Sequence, residues 1–94
     1  MLLKDVPLYM QGTLIDVRTR EEYDLGHLKG ALNIPWDLHM YYLEELQRLP
    51  KPWLFYCEKG ERSQWVVNSL KMIGFNEVYN VGEWIELEHQ LEEA

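Results

Sequence analysis

Trp53-Leu54-Phe55-Tyr56-Cys57-Glu58-Lys59-Gly60-Glu61-Arg62-Ser63 is the stretch that decides how this chain folds. An apolar run passes abruptly into a charged, glycine-containing turn, and a helical pattern follows from about Arg62. A near-continuous apolar run of this length reads as a strand covered on both faces, as in a parallel sheet. The lone cysteine, Cys57, then stands at the strand's carboxyl end, at the mouth of a tight loop. Open α/β sheets bind their ligands beyond the carboxyl ends of the strands. Fold and candidate site are therefore predicted by the same residues.

The neighbouring segments agree. From Arg62 to Ile73, the residues Val66, Val67, Leu70 and Ile73 form an apolar stripe at helical spacing. Gly74 occupies the place where a left-handed residue ends a helix, with Phe75 set to pack back on it. Glu77 to Val81 reads as a last strand and Trp84 to Leu91 as a last helix. Upstream, Leu14-Ile15-Asp16-Val17 is the first clear strand. Thr19 precedes Glu22 by three residues, a capping box that opens a short helix ended by Gly26. Ala31 to Ile34 reads as a second strand closed by Pro35. Asp37 is the expected N-cap of a helix carrying Leu38, Tyr42, Leu46 and Leu49, which Pro50 and Pro52 terminate. Leu3 to Met10 reads as a helix broken at Pro7. Apolar runs alternating with helical patterns predict an α/β fold with a parallel sheet. Asp16 and Arg18 then fall on the same sheet edge as Cys57.

Composition bounds the rest. Ninety-four residues correspond to a single domain, 1–94, able to bury roughly 60–65% of its unfolded surface. An apolar content of 47%, with four Trp and six Tyr, supplies a packed core. The net charge of −7 argues against a nucleic-acid surface and against attraction to anionic membranes. A lone cysteine forms no internal disulfide, which suits a reducing compartment. Met1 to Pro7 is too short in apolar residues and too soon charged for a signal peptide. No window approaches the ~20 apolar residues of a membrane span. A soluble, cytoplasmic protein is expected.

The chemistry centres on Cys57. An ordinary thiol is only about 3% ionised at pH 7. Loop amides turned inward, together with the N-terminus of the following helix, favour the thiolate, which is the nucleophile. Gly60 permits the tight turn and keeps a side chain out of the cradle. Lys59 and Arg62 offer positive charge to an anion or to the thiolate, while Glu58 and Glu61 oppose them and are expected to point outward. The same residues also fit a simpler picture, with an inert cysteine in the core and a solvated first-turn arginine. His27, His39 and His89 show no ligand spacing with one another or with Cys57, so no metal is expected.

Two separate motifs then carry a family resemblance. Asp16-Val17-Arg18, Glu22-Tyr23, Gly26-His27-Leu28, Gly30-Ala31 and Ile34-Pro35 resemble the N-terminal signature of rhodanese-like domains. Cys57-Glu58-Lys59-Gly60-Glu61-Arg62-Ser63 resembles their active-site loop, Cys-x-x-Gly-x-Arg-Ser, and Asn76 to Gly82 resembles the strand that follows the active-site helix. The resemblance implies a three-layer α/β sandwich with a central parallel sheet of four or five strands flanked by helices. It implies a sulfurtransferase in which Cys57 takes a sulfane sulfur from a donor such as thiosulfate, or from a persulfide. Cys57 would hold that sulfur as a persulfide and pass it to cyanide or a thiol, with no cofactor. A sulfur-carrier protein is one such thiol partner. Residues Glu58, Lys59, Gly60, Glu61, Arg62 and Ser63 would bind substrate, their amides stabilising the thiolate and persulfide. Asp16 and Arg18 would support the active-site edge, and His27 would help hold the fold. The chain departs from the family pattern where Gly82 is followed by Glu83 in place of a second glycine.

The enzymatic rival is a phosphatase of the Cys-loop-Arg type. Such enzymes need five residues between Cys and Arg to enclose a phosphate, and this chain has four, Glu58 to Glu61. The non-enzymatic rival is a rhodanese-like binding or sulfur-relay module, for which Trp36, Trp65 and Tyr56 would line a partner-facing rim.

Overall fold

The computed structural model describes residues 12–83. The expected helices at Leu3 to Met10 and Trp84 to Leu91 lie outside these residues. Four strands, β1 (Thr13–Asp16), β2 (Leu32–Asn33), β3 (Trp53–Cys57) and β4 (Val78–Glu83), form one sheet in the order β2-β1-β3-β4. Every pairing is parallel. The helices are α1 (Arg20–Leu25), a 3-10 segment (Trp36–Tyr42) running into α2 (Leu43–Leu46), and α3 (Glu61–Met72). No helix among the described residues is long and apolar enough to cross a membrane.

All five residues of β3 are buried, as a central strand of a doubly covered sheet requires. Their side chains alternate between two cores. Trp53, Phe55 and Cys57 pack with Ile15, Val17, Leu46, Val66, Val67 and Leu70 on the face covered by α2 and α3. Leu54 and Tyr56 pack with Leu14, Leu28, Ala31 and Val81 on the other. Each large apolar side chain so buried stabilises the fold by roughly 1.5–3 kcal/mol, which fixes the strand's register and hence where Cys57 emerges.

The helix ends follow the local chemistry expected of them. Thr19 Oγ1 accepts from the Glu22 amide at 3.2 Å, and Glu22 reaches back to the Thr19 amide at 3.1 Å. Gly74 is left-handed (φ 98°), its amide donating to Lys71 O and that of Phe75 to Leu70 O. This pair of reverse bonds closes α3, and the Phe75 ring packs 5.5 Å from that of Trp53.

Three expectations need correction. Asp37 is not an N-cap: Pro35 holds that position and Trp36–Tyr42 is a 3-10 helix. The Trp36 amide donates to Val17 O at 2.8 Å, which ties the segment to the end of β1 one residue before Asp37. The three-residue period then turns Trp36 and His39 to the same side. His39 is buried, while Leu38 and Tyr42, expected on the core stripe, are exposed. Residue 77 is outside the last strand, because Glu77 sits at φ 57° and the strand begins at Val78. That strand also runs to Glu83, since the register shifts there: Phe55 pairs with Asn80 but Tyr56 with Gly82, leaving Val81 as a bulge. The second strand is only two residues long, at the sheet edge.

Candidate active site

Cys57 ends β3 with only 1% of its surface exposed, yet it lines a pocket of about 350 Å³ together with Glu58, Lys59, Glu61 and Arg62. Gly60 makes this possible. At φ 94° it reverses the chain three residues after the cysteine and points its amide back at Cys57 Sγ, 2.9 Å away. A Cβ at Gly60 would meet nothing closer than 3.9 Å, so the backbone angle, not space, requires glycine. Ser63, on the first turn of α3, is buried with its Oγ 3.4 Å from Sγ. Either atom of that pair can donate, and when the single Ser63 proton goes to Asn80 Oδ1 or Gly60 O the thiol is the donor.

Ser63 leads to a residue that the sequence did not flag. Its Oγ lies 2.7 Å from Asn80 Oδ1 and 3.1 Å from Gly60 O. Asn80 Nδ2 donates to Gly60 O at 3.0 Å and to Gln64 Oε1 at 3.1 Å, and Oδ1 also accepts from the Gly82 amide. One amide side chain on β4 thus ties the loop to the sheet at the point of the bulge. A polar residue inside the apolar run Val78-Tyr79-Asn80-Val81 was the available signal.

Arg62 lines the pocket, but its guanidinium is turned to Glu22 of α1. Nη1 and Nη2 reach the two carboxylate oxygens at 2.7 and 3.1 Å. Hydrogen bonds from Arg62 hold the Glu22 carboxyl down to about 2, and the same bonds raise the arginine above its ordinary value. Glu22, read from the sequence only as a cap, is therefore part of the pocket's electrostatics. Glu58, Lys59 and Glu61 are exposed at the rim.

Asp16 and Arg18 lie beneath this edge and do not line the pocket. Asp16 is fully buried and accepts from the Arg18 amide (2.9 Å), from Nε (3.0 Å) and from Nη2 (2.7 Å). Nη2 also donates to Gly26 O at 2.6 Å, joining the end of β1 to the end of α1. Burial works against the Arg18 charge, but Asp16 outweighs it and raises the guanidinium above its ordinary value. Tyr56 accepts from the Leu28 amide at 3.1 Å, and burial pushes its phenol well above the usual tyrosine range.

Of the proposed rim aromatics, Tyr56 is core, fully buried beneath the sheet edge, because its place in β3 directs it to the second face. Trp36 packs against the first core and meets Trp65 edge to face at 5.5 Å, while Trp65 is 52% exposed. His27 stacks on Tyr23 at 3.6 Å, with Nδ1 2.9 Å from Tyr23 O. Among the described residues no three His, Cys, Asp or Glu side chains gather as a metal would need.

A family model described as a rhodanese-like domain matches residues 4–83. The uncharacterized protein YqhL of Bacillus subtilis is 37% identical over 73 residues, covering 78% of this chain and 57% of that protein. Thiosulfate sulfurtransferase GlpE of Vibrio cholerae is 30% identical over 80 residues, covering 85% of this chain and 74% of that one. The chain spans just over half of YqhL and only 18% of another relative, the adenylyltransferase and sulfurtransferase UBA4 of Meyerozyma guilliermondii. Among solved structures, the human single-domain sulfurtransferase TSTD1 superposes with a TM-score of 0.72 at 25% identity, over 98% of this chain and 91% of that one. A cysteine at a parallel strand's end, a glycine that turns an amide onto its sulfur, and a family match over most of the chain converge: this protein belongs to the rhodanese-like domain family.

Proposed function

We propose that this single domain is a cytoplasmic sulfurtransferase that carries a sulfane sulfur on Cys57. The observation that supports this most directly is the 2.9 Å contact from the Gly60 amide to Sγ at the floor of an open pocket. In the loading step the Cys57 thiolate attacks the outer sulfur of the donor. The new Sγ–S bond forms as the donor's S–S bond breaks. With thiosulfate, sulfite leaves with the electron pair and a persulfide anion remains on Cys57. In the discharge step cyanide or a thiolate attacks the outer sulfur, and Sγ leaves as the thiolate. No external oxidant or reductant is consumed.

The outer sulfur stands about 2 Å beyond Sγ, toward the first turn of α3. That turn has no side-chain cap, and the first amides of a helix have no partner within it. They are the donors that would hold the transferred sulfur, as helix N-termini hold anions. Cys57 is the one cysteine of these 94 residues, so a thiol that resolves the persulfide comes from outside them. The acceptor is external, and relatives named for sulfur transfer and sulfur carriage support a thiol on a carrier protein as one such acceptor.

Intact-mass measurement under non-reducing conditions tests this reading. Incubation with excess thiosulfate or an alkyl persulfide should add one sulfur atom, cyanide should remove it, and Cys57→Ser should abolish the gain. An unchanged mass with every donor would overturn the assignment. Aryl phosphates should not be turned over, because the loop is one residue short of what a phosphate needs.

A further inference from the structure

Five charged side chains surround the opening to Cys57: Glu58, Lys59, Glu61, Arg62 and, paired with Arg62 from another element, Glu22. Arg62 commits both terminal nitrogens to the two oxygens of Glu22. Glu22 is itself fixed, its Oε1 accepting from both the amide and the hydroxyl of Thr19 at 3.1 Å. Swinging Arg62 free would therefore strip a carboxylate that also caps α1. With that pair neutralised, two exposed carboxylates, Glu58 and Glu61, face one exposed cation, Lys59, which makes no ion pair among the described residues. The opening carries net negative charge, although its loop holds as many cations as anions.

We propose that Glu22 is a specificity-determining residue of the Cys57 pocket, which by neutralising Arg62 disfavours dianionic thiosulfate and favours persulfides of neutral or cationic thiols. This rests on the sulfurtransferase reading and narrows it to a class of donor. Loading from such a donor is balanced: the Cys57 thiolate takes the outer S–H group of R–S–SH, and R–S⁻ leaves with the electron pair of the broken bond.

The test compares Cys57 loading rates, read by intact mass, for the wild type and Glu22→Gln with three donors. These are thiosulfate, the cationic 2-aminoethyl persulfide and its neutral N-acetyl analogue. Each donor's intrinsic reactivity cancels in the variant-to-wild-type ratio. Glutamine keeps a capping oxygen for Thr19 and a carbonyl for Arg62, so the substitution removes charge more than structure. One unit charge acting on a dianion across roughly 6 Å of water is worth about tenfold. Thiosulfate loading should thus rise about tenfold in Glu22→Gln, mainly through a lower half-saturating concentration. Aminoethyl persulfide should fall about threefold and the neutral donor should stay within about twofold. Added salt should speed wild-type loading by thiosulfate and slow it for the cation. Glu58→Gln/Glu61→Gln, altered only at exposed positions, should shift the donors in the same directions. A common factor across all three donors in both variants would overturn the inference. Failure of every donor to load Cys57 would instead overturn the sulfurtransferase reading beneath it.

Discussion

Removing the carboxylate of Asp16 should be among the most destabilising single changes in this protein. Asp16 is fully buried and takes three hydrogen-bonding groups from Arg18, whose side chain is only 6% exposed. Asp16→Ala takes away the buried carboxylate that pairs with this guanidinium, which keeps its bond to Gly26 O. Breaking a buried pair on one side costs about 3–5 kcal/mol, against a total stability of roughly 5–15 kcal/mol for a domain. For a chain of this size the midpoint should drop by roughly 12 °C or more. Removing both partners is a different perturbation. Asp16→Ala/Arg18→Met buries no orphan charge, so it should lose at least ~2 kcal/mol less than the sum of the two single variants. Urea unfolding followed by tryptophan fluorescence, with Trp53 fully buried in the core as a reporter, measures all four corners of the cycle. A loss below ~1 kcal/mol for Asp16→Ala, or additivity in the double variant, would refute the claim that this pair is a coupled, desolvated unit.

Asn80→Ala should cost about 1–3 kcal/mol, since it leaves Gly60 O and the Ser63 hydroxyl short of partners. Cys57 loading should slow in the same variant, with faster hydrogen exchange at the Gly60 amide; an unchanged loading rate would show that the loop does not need this anchor. Glu22 gives a pH signature. Its carboxyl is held down to about 2 from 4.5, so the ion pair's contribution is complete above pH 4.5 and disappears as the pH falls toward 2. Partial exposure limits that contribution to about 1 kcal/mol. Wild type and Glu22→Gln should therefore differ in urea midpoint at pH 6 and converge near pH 2; a constant offset across that range would mean the carboxylate's charge is not what Arg62 stabilises.

What could be read from the sequence was what is encoded within a few residues. The strand-loop-helix at Trp53 to Ser63, the Thr19–Glu22 capping box and the Gly74–Phe75 helix stop each depend on local backbone chemistry, and each is present in the structure. The segment after Pro35 departs from its local pattern because a tertiary bond, Trp36 amide to Val17 O, overrides the N-cap signal of Asp37. In the pocket, the residue types were legible and their partners were not. Arg62 was visible as a cation, but its neutralisation comes from a carboxylate 40 residues earlier in the chain. Asn80 acts from a bulge, and nothing in the strand's own apolar pattern marks the extra residue.

That bulge makes the number of residues in β4 as informative as their identities. Val81 is the residue without a partner on β3, and it lies between Asn80, which faces the loop, and Gly82, which resumes the ladder. A one-residue deletion at Val81 would restore one-to-one pairing, with Gly82 still opposite Tyr56, and would remove from the second core the side chain that the bulge adds to it. Related chains that align well at the cysteine loop but are one residue shorter at this point must therefore fill that core from another position. When relatives are sorted by function, an insertion or gap on the far strand can separate groups that the cysteine motif alone would merge.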